Sequence, residues 1–115
     1  MHEYSLVASL IELVLQELDR HNADFVSKII VSVGERANIE KTLLISAFDI
    51  LKTEYKSLSE CKIDIITEQL LLECRDCQKS FHSLNDPNCP FCNSKDTIII
   101  SGREIKLEKL ELEIL

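Results

Sequence analysis

Residues 74–92 read CRDCQKSFHSLNDPNCPFC: Cys74 and Cys77, eleven residues, then Cys89 and Cys92. Two C-x2-C pairs on separate tight turns can converge as a tetrahedral sulfur cage for one Zn2+. Close pairing and doubling seldom coincide by accident, so the stretch announces a small metal-stapled module. Four protein ligands leave no place for a water, which favours a structural ion over hydrolytic chemistry. Iron in the same four-sulfur cage is one alternative. A redox dithiol is another, although it would need one pair rather than two. Cys89-Pro90-Phe91-Cys92 has the form of a zinc knuckle. Proline sets the first turn residue, and Asn93 after it tolerates left-handed backbone.

The surrounding segment, Glu73 to about Ile100, holds four of the five cysteines and both prolines, Pro87 and Pro90. Polar turn residues dominate it, so a metal is expected to do what a core would otherwise do. Working outward, the flanks carry the regular patterns. Leu6, Leu10, Leu13, Val14 and Leu18 recur at helical spacing between about Ser5 and His21. Val7, Ile11 and Leu15 widen that face, which predicts a helix buried on more than one side. His21 then stands at its C-terminal end, where a cation is favourable. Phe25 to Val33 is rich in β-branched residues and reads as a strand stopped by Gly34. Asn38 is a candidate N-cap for a second helix, with Glu40 in its first turn and its end near Tyr55. Cys61, Ile63 and Ile65 alternate with Lys62 and Asp64, a strand expected to run on to about Leu72. Cys61, the odd cysteine, reads as a core-facing thiol. Glu104 to Leu115 alternates but changes phase: Ile105 and Leu107 share one parity, Leu110, Leu112 and Ile114 the other. A bulge near Glu108-Lys109 would reconcile them.

These patterns predict an α+β fold: two helices on a small, mostly antiparallel sheet, with a four-cysteine zinc ribbon inserted before the last strand. The expected division is a discontinuous domain of residues 1–68 plus 101–115, and a zinc ribbon of residues 69–100. Length and composition agree, since 115 residues at 45% hydrophobic content suffice for one core plus a knuckle. Trp is absent, so Leu, Ile and Val must fill that core.

The net charge of -7 repels phosphate backbones and argues against nucleic acid. It suits cation handling and basic protein partners. No cationic segment followed by an apolar run opens the chain, and no apolar stretch nears the ~20 residues of a membrane span. A cytoplasmic location is therefore expected, where paired cysteines are metal ligands more often than disulfides. With two glycines in the whole chain there is no phosphate-cradling loop, nor any Ser/His/Asp arrangement. An enzyme is not expected.

The chain begins Met1-His2-Glu3-Tyr4-Ser5. A bulky second residue disfavours removal of Met1, so the free amine would be that of Met1. That amine, with the backbone nitrogen and imidazole of His2, can close two fused chelate rings. A planar nitrogen set of this kind suits Ni2+ or Cu2+ rather than Zn2+. Its affinity should fall as pH drops, because binding displaces protons. A histidine in second place is often an accident, so chemistry alone leaves this as one reading among others.

The opening M-H-E-Y-S, the central V-G-E-R-A-N-I-E (Val33 to Glu40) and the cysteine quartet together resemble the HypA/HybF hydrogenase maturation factors. The resemblance runs over nearly the whole chain in the right order. It implies a nickel metallochaperone that helps insert Ni2+ into [NiFe]-hydrogenase. Its implied partners are a HypB-type GTPase, the hydrogenase large subunit and, in some bacteria, urease accessory proteins. It also implies a nickel-binding α/β domain and a zinc domain. Residue by residue, it carries over His2 as the essential nickel ligand, Glu3 beside it through its backbone, and Cys74, Cys77, Cys89 and Cys92 on zinc. Glu40 stands where some relatives carry an aspartate close to the nickel. Some relatives also carry histidine near both cysteine pairs. Here Gln78, Lys79 and Asn93 occupy those places, and only His82 is a remote candidate. Histidine–cysteine exchange on zinc is therefore not part of the likeness. Monomer and homodimer both fit the pattern. The competing reading is a zinc-ribbon adaptor that recognises a protein or nucleic acid and carries no exchangeable metal.

Overall fold

Helix α1 (His2–Arg20) is followed by strand β1 (Phe25–Gly34), helix α2 (Lys41–Leu51) and two 3-10 turns (Lys52–Glu54 and Lys56–Leu58). Strands β2 (Lys62–Glu68), β3 (Leu71–Cys74), β4 (Ser80–His82), β5 (Thr97–Ser101) and β6 (Ile105–Glu113) complete the chain. The structure, a computed structural model, describes residues 2–82 and 88–115, without the side chain of His2. It contains two three-stranded sheets, ordered β2-β1-β6 and β4-β3-β5. The residues gather into two compact units: 1–31, 39–66 and 106–115 in the first, 32–38 and 67–105 in the second.

In the first unit, α1 buries Val7, Leu10, Ile11 and Val14. These fall at i, i+3, i+4 and i+7, one face of a 3.6-residue period. Leu13, expected on that face, is 49% exposed. The helix is thus buried along one stripe rather than on several sides. Helix α2 contributes Leu44, Ala47 and Phe48 to the core, and β1 contributes Val26, Ile29 and Val31. Cys61 is buried as expected, just ahead of β2. Burial pushes its thiol up to about 11 against the opposing pull of Lys52, so it is a neutral core group.

Strand directions follow from the contacts. Asp24 N–H donates to the Glu113 carbonyl at one end of the β1/β6 pair, and Gly34 N–H to the Glu104 carbonyl at the other, each at 2.9 Å. One number rises as the other falls, so β1 and β6 are antiparallel. Lys28 meets Asp64 at 2.9 Å, while Glu35 N–H donates to the Glu68 carbonyl. There both numbers rise together, so β1 and β2 are parallel and α2 is their crossover. β3 pairs antiparallel with both β4 and β5. Antiparallel pairing therefore prevails across the two sheets. β6 does return beside β1, with its burial changing phase at Glu108-Lys109.

Three further details differ from the sequence reading. Glu40, not Asn38, is the N-cap of α2 and makes no side-chain cap bond. Asn38 instead takes left-handed backbone at φ 58, where asparagine is well tolerated. The strand predicted from Cys61 to Leu72 is broken at Gln69-Leu70, so β2 and β3 belong to different sheets. The cysteine segment also owns a small core of Leu70, Leu72, Cys74, Phe81 and Cys89.

The two glycines of the chain meet in the second unit. A Cβ on Gly34 would fall into the backbone of Gly102 and Arg103. Gly102 itself has φ +96, and a Cβ there would sit 2.6 Å from Leu70 Cα. Arg36 N–H donates to the Gly102 carbonyl at 2.7 Å, and the Glu35 carboxylate accepts the Leu70 N–H. The Val33-Gly34-Glu35-Arg36 motif thus fastens residues 68–70 and 102 by close backbone approach. Gly102→Ala should cost about 2 kcal/mol or more through positive φ and the Leu70 clash. Chemical denaturation of the zinc-loaded protein checks this, and unchanged stability would contradict it.

Candidate metal centre

The two cysteine pairs are built by one local rule. Cys74 N–H donates to the Lys79 carbonyl and Gln78 N–H to the Cys74 carbonyl, at 3.0 and 2.8 Å. Cys89 N–H donates to the Ser94 carbonyl and Asn93 N–H to the Cys89 carbonyl, at 2.9 and 2.8 Å. Each knuckle closes through a residue four places on in left-handed backbone: Gln78 at φ 63 and Asn93 at φ 61. Asn93 was readable from its residue type. Gln78 was not, and only its equal offset from Cys74 could have signalled it.

This geometry aims backbone N–H groups at sulfur. Cys77 N–H lies 3.5 Å from Cys74 Sγ, and Phe91 N–H 3.4 Å from Cys89 Sγ. Between the knuckles, Cys74 Sγ meets Cys92 Sγ at 3.5 Å, and Cys77 Sγ meets Cys89 Sγ at 3.5 Å. All four sulfurs lie within 4.8 Å of one another. A tetrahedral Zn2+ with Zn–S near 2.3 Å sets sulfurs about 3.8 Å apart, so the cage has the right size. Ser94 joins the knuckles from outside: its hydroxyl donates to the Asp76 carboxylate and accepts the Asp96 N–H. Lys79 adds a second tie, its ammonium 4.7 Å from the Phe91 ring centre.

The thiols show why the cage wants a cation. Burial would raise Cys89, but the N–H groups of Cys92 and Phe91 outweigh it and the thiol falls to about 7. Cys74 is lowered chiefly by the Cys77 N–H. Cys77 is raised although the Lys79 N–H opposes the shift, with burial and the Cys89 sulfur prevailing. Cys92 receives the Ser94 N–H, which lowers it, yet the neighbouring sulfurs and burial drive it to about 12. Two thiols are drawn down and two pushed up, because the backbone N–H groups and the shared sulfur–sulfur hydrogen bonds favour some thiolates at the expense of their buried neighbours. A divalent cation removes the conflict and deprotonates all four.

The other predicted positions stand apart from this cluster. His82 ends β4, exposed, with Nδ1 3.0 Å from the Leu70 carbonyl. Among the described residues it is not in the metal-ligating group. His21 pairs with Glu17 at 3.3 Å across the last turn of α1. Glu3 lies in the first turn of α1. Glu40 is exposed at the start of α2, where its carboxylate accepts the Thr42 hydroxyl at 3.5 Å. Met1 and the His2 side chain lie outside the described residues.

A family model described as "Hydrogenase/urease nickel incorporation, metallochaperone, hypA" matches residues 1–112. The chain belongs to the HypA family. The hydrogenase maturation factor HypA of Helicobacter hepaticus is 38% identical over 116 residues, spanning 99% of this chain and 98% of that protein. The hydrogenase/urease maturation factor HypA of Helicobacter pylori is 37% identical over 114 residues, with 97% of each chain covered. The solution structure of the Ni metallochaperone HypA from Helicobacter pylori superposes with a TM-score of 0.79 at 35% identity, covering 98% of both chains. HypA membership makes this chain a nickel metallochaperone of hydrogenase/urease maturation, a carrier rather than an enzyme. It works in the company of other maturation factors. The adaptor reading gains nothing from the match. Among the described residues, no helix is long and apolar enough to cross a membrane.

Proposed function

We propose that the chain binds Ni2+ at its N-terminus and delivers it during maturation of [NiFe]-hydrogenase, while a structural Zn2+ holds the cysteine unit. The Met1 amine, the backbone nitrogen and imidazole of His2 and the Glu3 backbone form the nickel set. Glu40 is the candidate for an additional oxygen donor. Cys74, Cys77, Cys89 and Cys92 are the zinc ligands. We assign nickel binding to residues 1–68 plus 101–115 and zinc binding to residues 69–100, a functional division distinct from the grouping of the chain by compactness. Nickel passes to the hydrogenase large subunit in the cytoplasm together with a HypB-type GTPase. Where the host makes urease, its accessory proteins are further recipients.

The observation that carries this reading is His2 in a chain that matches the nickel metallochaperone family from residue 1 to residue 112. Chemistry supports it, because an amine, an amide nitrogen and an imidazole in sequence favour the tetragonal geometry of Ni2+. Deleting the gene should lower hydrogenase activity, and excess nickel in the medium should restore it. Full activity in the deletion strain, or a deficit that nickel does not repair, would sink the delivery role. Urease activity measured in the same strains tells which enzymes are served.

A further inference from the structure

The four cage sulfurs are unequally sheltered. Cys74 and Cys89 are buried, Cys77 is half-buried and Cys92 is exposed. Hydrogen bonding grades them similarly. Cys74 takes backbone N–H contacts from Cys77 and Asp76, and Cys89 from Cys92 and Phe91. Cys77 has one such contact, from Lys79, and Cys92 one, from Ser94. Cys92 therefore combines the greatest access with the fewest backbone donors holding its thiolate.

Beside it lies a cavity of about 570 Å³ whose walls include Cys92, Cys89, Phe91, Asn88 and His82. That volume falls in the range of small-molecule sites, ~300–1,000 Å³. Lys79 places an ammonium over the Phe91 wall. Through Phe91, which lines the cavity, that positive charge is held close enough to favour an anionic occupant.

We propose that Cys92 is the sulfur at which the zinc cage exchanges ligands, and that this cavity admits the incoming donor, an anionic low-molecular-weight thiol. A soft thiolate is the donor class Zn2+ already holds in the cage. The step is a substitution without redox change. With zinc held by the four cysteines, the incoming thiol would give up its proton and replace Cys92 Sγ as a ligand, and the displaced Cys92 thiolate would take up a proton in exchange. Cys74, Cys77 and Cys89 keep the ion, so the first exchange leaves the unit folded. The cage is thus closed to catalysis but has one door for zinc removal or insertion.

This inference rests on the four-cysteine zinc reading, and the test separates the two. The full chain is first analysed for zinc. It is then treated with limiting N-ethylmaleimide and mapped by mass spectrometry. In parallel, zinc release to a chromogenic chelator is followed with and without glutathione. Cys92 should be alkylated about fivefold or more ahead of Cys74, Cys77 and Cys89, because access and release govern thiol reactivity here. Glutathione should speed zinc release, and Lys79→Ala, checked for full zinc content, should cut that acceleration about twofold. With one zinc per chain, equal labelling of the four cysteines, Cys77 reacting first, or no response to glutathione overturns the inference alone. Absence of zinc overturns the cage reading and this inference with it.

Discussion

His2→Ala should remove nearly all of the chain's nickel affinity while leaving zinc content and fold unchanged. The proposed set draws three of its donors from two consecutive residues. The Met1 amine and the His2 amide nitrogen close one ring on the ion, and the amide and imidazole of His2 close the second. Removing the imidazole breaks the second ring. It also removes the anchor that makes loss of the amide proton favourable. What remains is an amine and a backbone, ordinary ligands of any chain terminus. A carrier at micromolar affinity binds with about -8 kcal/mol, and a millimolar residue of binding is worth about -4 kcal/mol. The expected loss is therefore about a thousandfold. Calorimetry on untagged protein measures it, with metal analysis and circular dichroism as controls for zinc and fold. Nickel bound by the variant with the parent's stoichiometry and affinity would falsify the N-terminal site. The core of the first unit is no obstacle to the comparison. Val7 is the first residue of α1 among its buried hydrophobics, five positions beyond the substitution.

The sequence revealed chemistry more readily than junctions. The cysteine quartet was legible because metal geometry is written in spacing, and the structure brings all four sulfurs together. The helices and the phase change of β6 were legible because periodicity reports burial directly. The break between β2 and β3 was not. Glu68, Gln69 and Leu70 continue an acceptable strand composition. Their interruption coincides with a long-range contact, Glu35 accepting the Leu70 N–H from 35 positions away. Asn38 misled for a related reason. The same side chain suits a helix cap and left-handed backbone, and local sequence does not choose between them. The V-G-E-R motif carried family likeness without showing its role. That role is the close approach of Gly34 to Gly102, a contact between glycines 68 positions apart. The nickel ligands differ again, because a short chelating sequence has no periodicity. Only resemblance raised His2 above accident.

Removing zinc should unfold the second unit and spare the first. Leu70, Leu72 and Phe81 are the purely apolar members of the small core, and its other buried members are the ligands Cys74 and Cys89. A fold of such size, near the ~40-residue limit for unaided folding, ordinarily needs a metal or disulfides. Zinc bound by four thiolates contributes an apparent ~10–16 kcal/mol at neutral pH, far more than those few side chains supply. The first unit has its own buried set in Val7, Ile11, Val14, Val26, Ile29, Leu44, Phe48 and Leu58. Hydrogen exchange read by mass spectrometry should therefore separate them. After chelation, or in Cys89→Ser, amides of β3, β4 and β5 should lose protection, while those of α1 and α2 keep it. The sharper expectation concerns β1, because Ser32, Val33 and Gly34 cluster with the second unit while Phe25 to Val31 cluster with the first. Protection should change within that single strand, near Val31-Ser32. If β3 to β5 stay protected with zinc demonstrably gone, the ion is not what holds the unit. If all of β1 opens together with α1, the two units share one cooperative transition. The first result would relocate the stability of the second unit from the sulfur cage to contacts such as those of V-G-E-R with Gly102; the second would extend the reach of the cage to the first unit.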